Sequence, residues 1–207
     1  MPSADTSFPP GFFDRSDPSD DERFYRPDRL VTHIDDDAIR AVGDLYEELG
    51  IDGRVLDLMS SWVSHFHVPP EELVVLGMNG RELRANGQAT EWRRHDLNAE
   101  PELPFDADSF DHAVCCVSID YLTRPLEVLA EVAQVLRPGG LFVVTFSNRC
   151  FPTKAIRGWL AADEAGRVAI VRRYFELTEG FGPPSSDLRT PLTGSGDPLY
   201  AVWARAR

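Results

Sequence analysis

From residue 54 onward, short apolar runs alternate with segments in which apolar residues recur every three or four positions. Short apolar runs are typical of strands buried on both faces, whereas a period of about 3.6 residues is typical of helices. We therefore predict five strands, over residues 54–59, 73–78, 90–95, 111–119 and 141–146, with the third the weakest. This alternation favours a mostly parallel sheet that is covered by helices on both faces.

Helices are predicted over residues 36–49, 125–136 and 163–178. The first has Asp35 or Asp36 as its N-cap and Gly50 as its stop. A turn is predicted over residues 137–140, before the fifth strand. The last two strands, over residues 187–192 and 199–204, are joined around residues 194–196 and are too close for a crossover, so they form an antiparallel hairpin. The fold class is α/β, a doubly wound, mostly parallel seven-stranded sheet with a C-terminal antiparallel hairpin.

Residues 1–30 have a different composition, rich in Pro, Asp, Ser and aromatic residues and without a helical or strand period. We interpret them as an extended arm that precedes one domain over residues 31–207. Phe12, Phe13 and Phe24 are costly to leave in water, so the arm is expected to lie on that domain.

Charge narrows the choice of partner. The 207 residues carry a formal net charge of -13, which nucleic acid phosphates and anionic membrane surfaces repel. No apolar run is long enough to span a bilayer, and the first residues lack the pattern of a signal peptide. Cys115, Cys116 and Cys150 form no disulfide framework or metal pair. We expect a cytoplasmic protein with a small-molecule partner, no nucleic acid and no membrane; the oligomeric state stays open.

In open α/β sheets, ligands bind beyond the carboxyl ends of the strands. The segments there read VLDLMSS, VVLGMN, HDLNAEPELPFDADSFDHAV and EVAQVLRPGGLFVVTFSN, in this order between residues 55 and 148. This series resembles the class I S-adenosylmethionine-dependent methyltransferases. The resemblance implies their Rossmann-like fold and S-adenosylmethionine as the cofactor. It is weaker evidence for the reaction, because one fold hosts many functions.

The resemblance places Asp57 near the amino group of the cofactor, with Met59, Ser60 and Ser61 in the turn that approaches it. This turn departs from the family because it contains no glycine, the residue that best tolerates a left-handed backbone. Either the turn is adapted, with serine hydroxyls replacing backbone contacts, or the cofactor site is lost. Asp57 can also act only to hold the turn in place.

The next two strand ends are implied to contact the ribose and the adenine. Asn79 stands where many family members carry an acidic residue for the ribose hydroxyls, although Asn79 and Gly80 can equally form a plain turn. Asp96 and Leu97 match the adenine-binding segment; the alternative is an aspartate that caps a turn. Arg29 in the arm is a candidate partner for the cofactor carboxylate, or a solvated residue.

The family's methyl and acceptor region follows the fourth strand, at Ser118, Asp120 and Tyr121. Asp120 and Tyr121 are candidates to position or deprotonate a nucleophile, and His65 is a further candidate base. A helix cap, a core tyrosine and a surface histidine are the respective alternatives. We predict no metal site, because His65 and His67 lack an accompanying cysteine or acidic cluster.

Two functional hypotheses follow. The first is S-adenosylmethionine-dependent methyl transfer to a small-molecule acceptor, in which the protein holds the nucleophile and the methyl group close together and in line. The chain has no Ser/His/Asp or Cys/His constellation, and this reaction requires none. The alternative is a non-catalytic, methyltransferase-like binding or scaffold domain with a degenerate cofactor site.

Overall fold

A computed structural model of the chain describes residues 7–190 and 196–207. One sheet runs through it with the strand order β3-β2-β1-β4-β5-β7-β6. Its strands are β1 (Arg54–Leu58), β2 (Glu72–Gly77), β3 (Glu91–Arg94), β4 (Phe110–Cys116), β5 (Leu136–Phe146), β6 (Ser185–Leu188) and β7 (Tyr200–Arg205). β7 is antiparallel to β5 and β6, and the other adjacent pairs are parallel. The predicted fold class, a mostly parallel seven-stranded sheet with a C-terminal antiparallel hairpin, is confirmed.

The helices are α1 (Asp21–Tyr25), α2 (Asp36–Leu49), α3 (Gly80–Ala85), α4 (Pro125–Val135), α5 (Arg157–Ala161) and α6 (Glu164–Leu177). The bounds of α2 are those predicted: the Asp35 side chain accepts a hydrogen bond from the Ala38 N–H, and Gly50 ends the helix at φ 66. Periodicity does not predict α1, α3 and α5, because each has six residues or fewer.

Three strand predictions need correction. β4 stops at Cys116, because Val117 has φ 47 and residues 119–121 form a 3-10 turn. The predicted turn over residues 137–140 belongs to β5, which begins at Leu136 and has an irregular register there with β4. β6 lies earlier than predicted, at Ser185–Leu188. Part of its predicted range, and most of the predicted turn at 194–196, lie outside the described residues.

The sheet has a hydrophobic core on each face. One face packs against α2, through side chains such as Val42 and Leu45. The other packs against α4, α5 and α6, through side chains such as Leu129 and Tyr174. None of the described helices is long and apolar enough to cross a membrane.

The described part of the arm lies against the domain and crosses the carboxyl edge of the sheet. Phe8 and Phe13 pack on Tyr174, and the Phe12 carbonyl accepts a hydrogen bond from the Gly158 N–H at 2.8 Å. The expected docking of the arm is therefore seen in these contacts, although α1 shows that the arm is not extended throughout.

A buried ionic cluster holds the middle of the arm. Lys154 has 0% exposure, and its ammonium lies 3.1 Å from an Asp21 carboxylate oxygen and 3.3 Å from one of Asp17. Arg15 binds both oxygens of Asp21 at 2.8 Å. A buried charge without its partner is costly, so this cluster fixes residues 15–21 over the edge of the sheet.

Candidate active site

A cavity of about 560 Å³ lies at the carboxyl edge of the sheet, between the strand ends and the arm. It collects residues from the ends of β1, β2, β3, β4 and β5, as expected for an open α/β sheet. The predicted site residues that line it are Arg29, Asp57, Met59, Ser60, Ser61, His65, Asn79, Asp96, Leu97, Ser118 and Tyr121. The structure therefore brings together every predicted site residue except Asp120.

Asp57, at the end of β1, is buried and faces this cavity. The hydroxyls of Ser60 and Ser64 donate to the same oxygen, Oδ2, at 2.7 and 2.6 Å. Oδ1 accepts no hydrogen bond from the described residues. Burial raises the pKa of Asp57 to about 6, although the two hydroxyls oppose this shift. Asp57 therefore presents one available oxygen in a site that favours a cationic partner.

The turn after β1 adopts a left-handed conformation without glycine. Met59 has φ 55, a region that costs an ordinary residue about 1 kcal/mol or more. The Ser60 N–H donates to the Leu76 carbonyl at 2.8 Å, which draws the turn across β2. A Cβ at Gly77 would overlap the Ser60 carbonyl oxygen. The glycine required for this close approach is thus on the neighbouring strand.

Glu82 links the turn to the arm. It is a buried carboxylate that accepts from the Ser61 hydroxyl at 2.7 Å and from the Arg29 N–H at 2.6 Å. The Ser61 proton is therefore directed to Glu82, just as the Ser60 proton is directed to Asp57. The two hydroxyls predicted to face the ligand donate within the protein.

Asn79 is the N-cap of α3. Its Oδ1 accepts from the Arg81 and Glu82 N–H groups, and its Nδ2 donates to Asp28 of the arm at 2.9 Å. The same hydrogen bond lowers the pKa of Asp28. The carboxylates bonded to Asn79 at this strand end are Asp28 and Glu82.

Asp96 caps the turn that follows β3. Its Oδ1 accepts from the Asn98 and Ala99 N–H groups at 3.0 and 3.3 Å, while Oδ2 accepts nothing from the described residues. Leu97 is buried beside it. Asn98 then joins three segments, because its Nδ2 donates to Asp21 and to the Tyr121 carbonyl. The capping role predicted as an alternative for Asp96 is present, and one oxygen still borders the cavity.

The end of β4 separates two neighbouring candidates. Tyr121 borders the cavity, and its hydroxyl accepts from the Phe151 N–H at 2.9 Å. Asp120, one position earlier in the 3-10 turn, is 3% exposed and does not line the cavity. Its Oδ2 has no hydrogen-bond partner in the described part of the chain, and burial raises its pKa to about 8. Asp120 is therefore outside the lining of the cavity, and its catalytic role stays a prediction. Ser118 donates to the Cys116 carbonyl at 3.0 Å and holds the strand end.

His33, His65 and His95 line the cavity, and the first two have shifted pKa values. Burial lowers the pKa of His65 to about 4, and burial also lowers that of His33, although nearby Glu82 opposes the second shift. Both imidazoles are therefore neutral near pH 7.

Arg29 lines the same cavity, but its guanidinium carbon is 4.7 Å from the Phe24 ring and its Nη2 donates to the Phe24 carbonyl at 2.8 Å. No cluster of His, Cys, Asp and Glu suited to a metal ion occurs within residues 7–190 and 196–207.

Sequence reasoning missed several residues that shape this site. Gly77, Glu82, Asn98 and Lys154 have no local pattern that reveals their roles, since each acts through a partner distant in the sequence. Val117 is the clearest case: it is β-branched, and its φ of 47 is rare for such a residue. For Asn98, the available signal is its position in the sequence, directly after Asp96 and Leu97 of the adenine-binding segment.

Comparison with known proteins agrees with this geometry. A family model described as a methyltransferase domain matches residues 48–144. The chain is 38% identical over 79 residues to a ubiquinone/menaquinone biosynthesis C-methyltransferase, UbiE, from Roseobacter denitrificans. That match covers 38% of this chain and 30% of the relative, so the chain spans less than a third of the length of that protein.

Solved structures match more of the chain at lower identity. A methyltransferase from Thermotoga maritima, titled a possible histamine N-methyltransferase, has a TM-score of 0.56 and 15% identity, covering 82% of this chain and 92% of its own. The [4+2]-cyclase SpnF has a TM-score of 0.58 and 14% identity, covering 87% and 89%. At such identities these matches establish the fold alone.

The family match covers β1 to β4 and most of β5, the strands whose ends surround the cavity. The order of the motifs along the chain and the strand order of the sheet agree with this match. S-adenosylmethionine is the cofactor that this combination implies. Residues 48–144 match the methyltransferase-domain family, and the chain has the Rossmann-like fold of S-adenosylmethionine-dependent methyltransferases.

Proposed function

We propose that the protein transfers a methyl group from S-adenosylmethionine to a small-molecule acceptor bound in the same cavity. The observation that carries the proposal is Asp57, a buried carboxylate with one available oxygen at the point where β1 ends. No cation of the described residues pairs with it, and a ligand ammonium supplies one. The cofactor of the family has such an ammonium on its amino acid end.

The remaining residues fit the rest of that cofactor. Asp96 offers its Oδ2 to an exocyclic amine, with Leu97 as an apolar neighbour for the adenine ring. Glu82, which lines the cavity, supplies the carboxylate for the ribose, since Asn79 is occupied as a helix cap. The proposed order of contacts is therefore adenine at β3, ribose at β2 and the amino acid at β1.

The bound cofactor supplies an electrophilic methyl group. The protein's own contribution is to hold the acceptor in line with that group and to exclude water. The arm and the segment that follows it contribute to the second task, because Arg29 and Val31 line the cavity and Trp62 donates to the Val31 carbonyl at 3.0 Å. Neutral His33 and His65 are available to accept a hydrogen bond from an acceptor hydroxyl or amine. Tyr121 is better described as a positioning residue, because its hydroxyl holds the loop at Phe151.

The size of the cavity supports a small acceptor. About 560 Å³ falls within the range of roughly 300–1,000 Å³ that is usual for small-molecule sites, and the cofactor occupies part of it. Cys115, Cys116 and Cys150 are free thiols, which supports the reducing cytoplasm as the proposed compartment.

Calorimetric titration with S-adenosylmethionine and S-adenosylhomocysteine tests the proposal. We expect saturable binding of both at one site per chain, and weaker binding in Asp57→Ala. Conversion of S-adenosylmethionine to S-adenosylhomocysteine in the presence of a panel of small acceptors tests transfer itself. Absence of binding of both ligands to the folded protein would refute the proposed cofactor site.

The second candidate is a non-catalytic binding domain. It is favoured by the internal bonding of the strand-end polar groups, since Ser60, Ser61 and Asn79 all donate to carboxylates of the protein. The titration separates the two candidates in part, because a domain with a degenerate cofactor site does not bind either ligand. Cofactor binding without turnover of any acceptor in the panel would also favour the second candidate.

A further inference from the structure

The β5 side of the cavity is distant from the proposed adenine contact. The strand order places β3, β2, β1, β4 and β5 side by side, so β3 and β5 are separated by four spacings of about 4.8 Å, or roughly 19 Å. The proposed adenine, ribose and amino acid contacts use the ends of β3, β2 and β1. The end of β5, with Asn148 and Arg149, is left to border the acceptor.

Arg149 is held in a fixed orientation there. Its Nε donates to Oδ1 of Asp197 at 2.7 Å, and Asp197 is a buried residue. Asp197 is fixed in turn by two reciprocal bonds: the Asp35 N–H donates to its Oδ2 at 3.0 Å, and its own N–H donates to the Asp35 carboxylate at 2.6 Å. Asp35 is the N-cap of α2. The arginine is thus anchored through a carboxylate to the start of a helix.

The outer edge of this guanidinium is available. Neither terminal nitrogen of Arg149 has a hydrogen-bond partner among residues 7–190 and 196–207, and the side chain is 64% exposed while lining the cavity. A guanidinium in this state offers two parallel N–H groups in the geometry that a carboxylate accepts. Arg29 differs, because its terminal nitrogens donate to the Phe24 and Pro27 carbonyls.

Flat aromatic surfaces line the same cavity as Arg149. Phe151, two residues further along the chain, has its ring centroid 5.3 Å from that of His33 and 5.9 Å from that of Tyr121. All three rings line the cavity. The three rings pack against one another at these distances, and a planar apolar ligand in the cavity can extend this packing in offset or edge contact.

We propose that the methyl acceptor is a small planar carboxylic acid, with its carboxylate on the terminal nitrogens of Arg149 and its ring against Phe151 and His33. This inference rests on the proposed function, since it assigns the β4–β5 side of the same cavity. The net charge of -13 makes the role of Arg149 specific: an acid is repelled by the whole chain and needs a local cation to bind.

Matched ring probes test the inference in the presence of saturating S-adenosylhomocysteine. Benzoate, benzamide and benzylamine share one ring and differ in charge, and their binding is followed by ligand-observed NMR. We expect benzoate to bind about tenfold more tightly than either of the others, as is usual for a charge-assisted bidentate contact. Arg149→Gln should remove this preference, and Arg149→Lys, which keeps the charge but not the fork, should retain part of it.

Arg157→Gln is the control. Arg157 is 67% exposed and also pairs with an aspartate, Asp14, but it does not line the cavity. The change removes the same charge at a matched surface position, so the preference for benzoate should persist. Loss of the preference in this variant as well would mean that general electrostatics, and not Arg149, determines it, and would overturn the inference.

The other outcomes separate this inference from the proposed function. Equal binding of the three probes, or tighter binding of benzylamine, overturns the acid acceptor while S-adenosylhomocysteine binding upholds the cofactor site. A marked loss of S-adenosylhomocysteine affinity in Arg149→Gln assigns the guanidinium to the cofactor carboxylate, which also overturns it. If S-adenosylhomocysteine does not bind the wild-type protein, both proposals fail.

Discussion

The turn after β1 and the turn after β3 were both expected to contact the cofactor, and they achieve their shapes differently. The β3 turn depends on one local residue, Asp96, whose Oδ1 caps the N–H groups two and three positions later. The β1 turn has a local hydrogen bond from Ser60 to Asp57, but its left-handed residue, Met59, is not glycine, and the turn is also held by β2. The difference teaches that packing across a sheet can impose a backbone shape that the local sequence disfavours.

The largest expected effect comes from breaking the contact between the β1 turn and β2. Gly77→Ala places a Cβ on the Ser60 carbonyl oxygen, which belongs to the backbone and cannot rotate away. We expect a loss of about 3 kcal/mol in the free energy of unfolding, measured by urea denaturation, together with loss of S-adenosylhomocysteine binding.

Gly87→Ala is the matched control for that change. A Cβ at Gly87 has no neighbouring heavy atom within 4 Å, so its effect should stay within about 0.5 kcal/mol. If the two variants had the same stability and affinity, the β1 turn would not depend on β2, and the comparison with the β3 turn would lose its basis.

A smaller effect is expected from the carboxylate at the base of the β1 turn. Burial raises the pKa of Asp57 from 3.8 to about 6. Between these values the folded protein keeps a proton that the unfolded chain has released, so the contribution of Asp57 to stability falls as the pH rises from about 4 to about 6 and is level above. Asp57→Asn should remove this contribution, on the order of 3 kcal/mol, in urea denaturation at a series of pH values.

Asp120 provides a comparison for the pH experiment. Its pKa is raised to about 8 by burial away from the cavity, so its contribution falls over a wider range, from about pH 4 to pH 8. Asp120→Asn should therefore flatten the curve between pH 6 and 8, whereas Asp57→Asn should not. A stability curve in Asp57→Asn that still falls between pH 4 and 6 as steeply as in the wild type would contradict the assignment.

Much of the fold could be predicted from the sequence because it depends on local patterns. The apolar runs identify β1, β2 and β5, and the capping residues Asp35 and Gly50 define α2. The site was predictable where a strand end carries a motif, as at Asp57 and Asp96. The residues that line the cavity were therefore found mainly through the order of the strands.

The remainder depends on contacts between distant segments. Lys154 is a charged residue with 0% exposure, which no hydrophobic pattern predicts, because its partners lie in the arm. The choice between Asp120 and Tyr121 depends on a 3-10 turn that rotates one side chain into the core and the next into the cavity. The spacing of residues along the chain does not predict which of two adjacent side chains points into the cavity.

In the β3 turn, the roles of the two carboxylate oxygens of Asp96 can be tested separately. Asp96→Asn keeps a carbonyl oxygen to cap Asn98 and Ala99, but replaces the other acceptor by an NH₂ group, which cannot accept from the adenine amine. We expect S-adenosylhomocysteine to bind about five- to tenfold more weakly by calorimetry, with unchanged stability. Asp96→Ala, which loses the cap as well, should also be less stable. Unchanged affinity in both variants would remove Asp96 from the cofactor site.

The smallest effect is expected from restoring glycine to the β1 turn. Met59→Gly relieves the left-handed φ of 55, but it also removes a side chain packed against the core and adds conformational freedom to the unfolded chain. These contributions oppose each other, so the net change in stability should be under about 1 kcal/mol.

Ser61 is not among the left-handed residues, so Ser61→Gly relieves no strain and only removes the bond to Glu82. The double variant Met59→Gly/Ser61→Gly should therefore bind S-adenosylhomocysteine no more tightly than the wild type in calorimetry, provided that it unfolds cooperatively in urea. Ser61→Ala is the control, because it removes the hydroxyl without adding backbone freedom. A gain of more than about fivefold in the double variant would indicate an eroded site and favour the non-catalytic candidate, whereas an unchanged or weaker affinity indicates a turn adapted to its side chains.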